Sequence, residues 1–205
     1  MRRLLLVASL LSSSICFGQS QTIHSDNSDW WSLLRSHSRE QPVKPGNGEL
    51  DLRNFVVAGV SMHDSPQSGA IERLGATQKI ARGDGASARR QLCYEAEGKI
   101  PSFLIFESAE VSEGFYLFSS KKNWKGRKRC TLARPTNWKT DTGLRLGLTQ
   151  QQVQTILGKP DAVRDNRWIY ERQFKQNNAL VTLYIEARFT NSKLDYLGAS
   201  RADMS

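Results

Sequence analysis

Between Val181 and Phe189 the chain alternates without a break: Val181, Leu183, Ile185, Ala187 and Phe189 are apolar, with Thr182, Tyr184, Glu186 and Arg188 between them. Successive side chains of a strand point to opposite faces, whereas a helical face recurs about every 3.6 residues, so this stretch gathers its apolar groups only as a strand. An antiparallel sheet with one buried face is the expected setting. Trp168, Tyr170 and Phe174 stand at even spacing upstream, and Leu194 to Leu197 resume after Asn191-Ser192-Lys193. These runs predict neighbouring strands.

The buried face needs a cover, and the segment before these strands supplies one. Thr149 followed by Gln152 is a capping box, which satisfies amides left open at a helix start. Val153, Ile156 and Leu157 share one helical face, Gly158 can close the helix with a positive φ, and Pro160 prevents its continuation. The fold class expected is α+β. Residues 137–205 are expected to fold around a core of their own.

The first half repeats this plan. Ser65 and Pro66 open a short helix containing Ala70 and Leu74, and Leu74-Gly75 matches Leu157-Gly158. RRQLCYEA from Arg89 corresponds to the strand around Trp168 and Tyr170. The stretch from Phe103 to Ser119 parallels the last two strands, with Glu107 set against Glu186 and Phe115 against Leu194. Any two antiparallel α+β segments share some likeness, but the matched order of helix, Leu-Gly, strand and hairpin predicts two tandem helix-plus-sheet repeats, at 50–134 and 135–205.

Ahead of them, Arg2 and Arg3 precede an apolar run from Leu4 to Leu11, followed by small and polar residues. That order is a secretory signal peptide. The run is too short to span a bilayer, and cleavage is expected after Gly18. Lipidation of Cys16 is the rival reading, disfavoured by Ile15 where a small residue is needed. The expected location is therefore periplasmic or secreted, with an outer-membrane lipoprotein second. Residues 19–49 form a polar segment, with a short amphipathic helix from Ser28 that carries Trp30, Leu33 and Leu34, and a linker marked by Pro42, Pro45, Gly46 and Gly48.

Of the chain's three cysteines, Cys93 and Cys130 follow the signal. In an oxidising compartment an even pair reads as a disulfide, which would stabilise the fold by roughly 3–4 kcal/mol in the chain-entropy account. Two buried thiols or a metal site are the alternatives. The pair has no histidines nearby, which makes a poor zinc site.

Gly147 to Pro160, GLTQQQVQTILGKP, together with the aromatic strand at Trp168 and Tyr170, resembles the SmpA/OmlA family of BamE-type outer-membrane assembly lipoproteins over about residues 137–200. The resemblance implies two helices packed on a three-stranded antiparallel sheet and a role in protein binding. A tandem of such units resembles the β-lactamase inhibitor protein architecture, in which two sheets lie side by side as a binding surface.

The supply of catalytic groups is thin. His24 and His37 lie in the polar N-terminal region, and His63-Asp64 reads as a polar approach to the first helix. Arg82-Gly83-Asp84-Gly85 lacks the lysine and helix of a phosphate loop and reads as a turn. No catalytic residue, cofactor or metal is expected, and the chain is read as non-enzymatic. The candidate binding residues are Lys121, Lys122, Trp124, Lys125, Arg127, Lys128 and Arg129, an acid-free run expected to form an exposed basic hairpin. Lysines also protect edge strands from pairing, which is the plainer account of them. The formal charge of +9 falls to +7 once Arg2 and Arg3 leave with the signal, and that balance favours weak attraction to anionic surfaces. The expected function is an exported protein-binding or scaffolding module of the cell envelope. Its alternatives are a binder of anionic lipid or polymer through residues 121–129 and an inhibitor of a secreted enzyme. The expected partner is an envelope or secreted protein, with an anionic membrane surface second; nucleic acid is not expected.

Overall fold

The computed structural model describes residues 46, 48–63, 66–84, 88–110, 112–120, 125–134 and 138–204. The signal, the helix expected from Ser28, and Pro42 and Pro45 lie outside the described residues.

A 3-10 turn at Leu52–Phe55, whose Arg53 amide donates to the Asp51 carboxylate, leads into a small ribbon of β1 (Val56–Val57) and β2 (Val60–Ser61). Helix α1 (Pro66–Leu74) follows, with proline in its first turn, where no amide is needed. Strands β3 (Lys79–Arg82), β4 (Arg89–Ala96), β5 (Ser102–Ala109) and β6 (Ser112–Ser119) come next. A 3-10 turn at Lys125–Arg129 and the short β7 (Thr131–Leu132) precede α2 (Gln150–Leu157). The chain ends with β8 (Ala162–Arg164), β9 (Arg167–Gln176), β10 (Ala179–Thr190) and β11 (Lys193–Met204).

The cap of α2 forms as its sequence requires. The Thr149 amide donates to Gln152 Oε1 at 2.9 Å, and the Gln152 amide donates to Thr149 Oγ1 at 3.2 Å. Gly158 turns to φ 79°, as expected, but its ψ of −163° is more extended than a left-handed helical cap and is open essentially to glycine alone.

The protein is α+β, with two helices among the described residues and an extended antiparallel sheet. The sheet runs β3-β4-β5-β6-β11-β10-β9-β8, with β7 paired beside β4. At its centre β6 and β11 pair antiparallel, from Phe118↔Tyr196 to Ser112↔Ala202. Each half therefore reads helix then four strands, in opposite directions from the central pair. Each helix end is also held in the same way. The Tyr94 hydroxyl of β4 donates to the Gly75 carbonyl at 2.9 Å, and that of Tyr170 in β9 donates to the Gly158 carbonyl at 3.2 Å. Burial pushes the Tyr94 phenol up to about 12 and raises that of Tyr170 as well.

Tyr94 faces Leu104 and Tyr170 faces Ile185 across their strand pairs. The main core is one contiguous cluster containing Ala70, Leu74, Leu104 and Phe115 from the first half and Val153, Leu157, Ile185 and Leu197 from the second.

β10 keeps the alternation expected of it, buried at Val181, Leu183 and Ile185 and half-buried at Thr182 and Tyr184, whereas the sheet across β4, β5, β6 and β11 is buried on both faces. Cys93, Phe103, Ile105, Phe118 and Tyr196 form a second cluster on the side away from the helices. The reason is compositional, since Phe103-Leu104-Ile105-Phe106 is a continuous apolar run, and such a run suits a strand covered on both sides.

Candidate functional site

A strand does begin after Cys130, as expected, but among the described residues β7 does not pair with β6, so the two do not form a hairpin. β6 is flanked on both edges, by β5 and β11, so a returning strand has no free edge to join. The chain instead crosses to β4 and pairs there in parallel, with Tyr94↔Thr131 and Glu95↔Leu132. Before that pairing, Lys125–Arg129 wind into the 3-10 turn. Lys121, Lys122 and Trp124 lie outside the described residues.

Two bonds hold the turn against β4. Cys130 forms a disulfide with Cys93, closing a sequence separation of 37 residues. Arg127 reaches Glu95 at 2.6 and 2.8 Å, and the Glu95 side chain is only 7% exposed. Hydrogen bonding to Glu95 pushes the Arg127 guanidinium above its ordinary range. Arg127 therefore answers a buried carboxylate. Lys128 is exposed and Arg129 half-buried.

Two exposed apolar side chains lie at the same end of the sheet as this turn. The Ser120 amide donates to the Pro101 carbonyl at 3.2 Å, which sets the start of the basic run beside the β4–β5 turn. Ile100 in that turn is 66% exposed and Leu132 of β7 is 57% exposed. Lys99 and Glu97, also exposed, complete the β4–β5 turn.

The second face of the sheet holds charged groups that sequence reasoning passed over. Glu107 accepts from Arg89 at 2.6 Å, from Gln91 and from Tyr116, while Glu186 accepts from Arg188 and from Tyr184 at 3.4 Å. The Arg188 guanidinium lies 4.4 Å from the centre of the Tyr196 ring, an attractive cation–π distance. Burial raises the Tyr116 and Tyr196 phenols well above their ordinary range, and the neighbouring carboxylates add to the effect. The available signal was Tyr184, Glu186 and Arg188 at period two, which places aromatic, acid and base on one strand face.

The remaining sequence candidates scatter. His63 meets Arg201, whose Nη1 lies 2.7 Å from its Nδ1, and its ring lies 6.3 Å from that of Phe55. Asp64, His24, His37 and Gly85 lie outside the described residues. Arg82 ends β3. Among the described residues no group of three or more His, Cys, Asp or Glu is placed to hold a metal ion, and no helix is long and apolar enough to cross a membrane.

No known family profile matches the chain. No curated protein matches it either. Among solved structures, a GntR-family transcriptional regulator is similar at 9% identity, covering 84% of this chain and 75% of that one with a TM-score of 0.24. At that score the likeness bears on neither fold nor function.

Proposed function

We propose that this chain is a non-enzymatic, exported protein-binding module of the cell envelope, built from two tandem helix-plus-sheet repeats at 50–134 and 135–205. The repeat reading is supported by the mirrored strand order and by the matching Tyr94–Gly75 and Tyr170–Gly158 bonds. Kinship of 137–200 with SmpA/OmlA domains rests on the motif from Gly147 to Pro160 and the antiparallel strands that follow it. Export rests on the first eighteen residues and agrees with the disulfide, since such bonds persist in oxidising compartments.

One observation carries the binding function: exposed Ile100 and Leu132 lie at the same end of the sheet as a basic turn that a disulfide and an ion pair to the nearly buried Glu95 hold in one place. A surface fixed before contact loses little freedom on binding. Immobilised protein would be challenged with envelope extract and compared with two variants, Ile100→Ser/Leu132→Ser and Lys121→Ser/Lys122→Ser/Lys128→Ser. Arg127 stays in place, because its loss would strand the Glu95 carboxylate. The expected result is an envelope protein that binds saturably when purified and is lost on both variants. If no captured protein depends on either set, the reading is wrong.

The exposure of Lys128 in an acid-free run favours a second reading, attachment to anionic lipid. Vesicles containing phosphatidylglycerol would then bind in a salt-sensitive way. That binding would fail in the lysine variant and survive in the Ile100/Leu132 variant.

A further inference from the structure

His63 lies between the β1–β2 ribbon and α1, and its ring meets the C-terminal part of β11. Its Nδ1 is 2.7 Å from Arg201 Nη1. A guanidinium carries donors and no acceptor, so Nδ1 is the bare nitrogen and the ring proton sits on Nε2. The folded protein therefore holds this imidazole in its neutral form. Arg201 is fixed in that pose by its other bonds. Its Nε and Nη2 donate to the two oxygens of Asp203 at 2.8 and 3.1 Å, and Nη2 also donates to Gln176 Oε1 of β9 at 3.1 Å. These bonds aim the remaining nitrogen at His63, in a site where the Arg201 side chain is only 20% exposed.

We propose that His63 and Arg201 form an acid-released latch, which fastens the end of the β1–β2 ribbon to β11 while the imidazole is neutral and lets go when it takes a proton. Histidine changes charge between about pH 5 and 8. The protonated ring has no lone pair left to accept from Arg201, so the hydrogen bond becomes a contact of like charges. Its stabilisation is full above the histidine range and is lost as pH falls through it. The acids nearby do not offset this. Both Asp203 oxygens already accept from Arg201. Glu113 stands opposite Arg201 across β6 and β11, and burial raises its pKa, so it too loses charge as pH falls. In the turn that carries Phe55, whose ring is 6.3 Å from that of His63, Asp51 pairs with Arg53. Asp64 lies outside the described residues. The latch acts one residue from the core: Met62 is 1% exposed, and its amide donates to the Phe55 carbonyl at 3.0 Å. Elsewhere the ribbon is tied down independently, the Ala58 amide donating to the Lys139 carbonyl at 3.2 Å and the Asp141 amide to the Val56 carbonyl at 3.1 Å. Release is therefore local to Met62 and His63.

Amide exchange of the full chain reads the latch at Met62, expressed as protection factors so that the intrinsic effect of pH drops out. Between about pH 7.5 and about pH 5.5, across the ordinary histidine value, Met62 protection should fall severalfold in wild type, while Leu183 and Ile185 in the middle of β10 keep theirs. In His63→Gln, whose amide oxygen accepts from Arg201 without titrating, Met62 should stay protected at both pH values. Glu113 is present in both proteins, so its titration cancels in the comparison. His63→Lys, charged throughout, should leave Met62 weakly protected at either pH. Imidazole nitrogen chemical shifts give an independent reading, with the Nε2–H tautomer expected at about pH 7.5. Met62 protection that ignores pH in wild type, an equal loss in His63→Gln, or a ring proton on Nδ1 would overturn the proposal. A loss that extends to β10 would mean global unfolding and would likewise reject a local latch.

Discussion

Glu113, on β6, shows how a single carboxyl can weaken the fold that holds it. Burial raises its pKa, Asp203 adds to the rise, and the Ser108 hydrogen bond and Arg201 act the other way. The net direction is upward, so the folded state binds its proton more tightly than the unfolded chain does. The corresponding stability is full below the ordinary carboxylate range and is lost as pH rises through the raised value. Glu113→Gln removes this titration. At pH 7 the variant should melt above wild type, and the gap should close as pH falls below about 4, the ordinary glutamate value. Equal melting at pH 7, or a gap that widens in acid, would contradict the assignment. Sequence pattern does not reveal such a group. Glu113 reads as an ordinary outward residue at a strand start, and only the pairing of β6 with β11 encloses it.

Among the elements, α2 was the most legible, because every signal that shapes it lies within a dozen consecutive residues. Leu157 is 8% exposed and belongs to the core shared by both halves. Leu157→Ala should destabilise by about 2–5 kcal/mol, and the exposed Gln151→Ala should change stability little, both measured by urea unfolding. Equal effects would mean that the helix face is misassigned. Strand β4 was legible to its exact ends, whereas β3, β8 and the β1–β2 ribbon were not, since two to four residues are too short to display a period. The basic segment was legible as chemistry but not as shape. Its hairpin failed for a reason local pattern does not contain, namely that β6 has both edges occupied. The disulfide that redirects it leads to another prediction. Cys93→Ser/Cys130→Ser should destabilise by about 2–5 kcal/mol, and amide exchange at Thr131 and Leu132 should accelerate more than at β10. Unaltered exchange at β7 would show that the ion pair alone fixes the turn.

For the whole molecule, the sequence displayed two similar units but not how they join. They join through the β6–β11 pairing, which matches Phe118, Leu117, Tyr116 and Phe115 with Tyr196, Leu197, Gly198 and Ala199 at separations of 78 to 84 residues, and also through the Val57↔Thr140 bridge. No local spacing predicts that match. It turns two small sheets into one and places Leu74 and Leu157 in the same contiguous core. Proteins of this kind unfold as a unit when the shared core is large against each part. Calorimetry of wild type, Leu74→Ala and Leu157→Ala measures this directly. A single two-state transition is predicted, with equal calorimetric and van't Hoff enthalpies, and each substitution should lower it as a whole. Two resolved transitions, one moved only by Leu74→Ala and the other only by Leu157→Ala, would contradict a single sheet built on a single core.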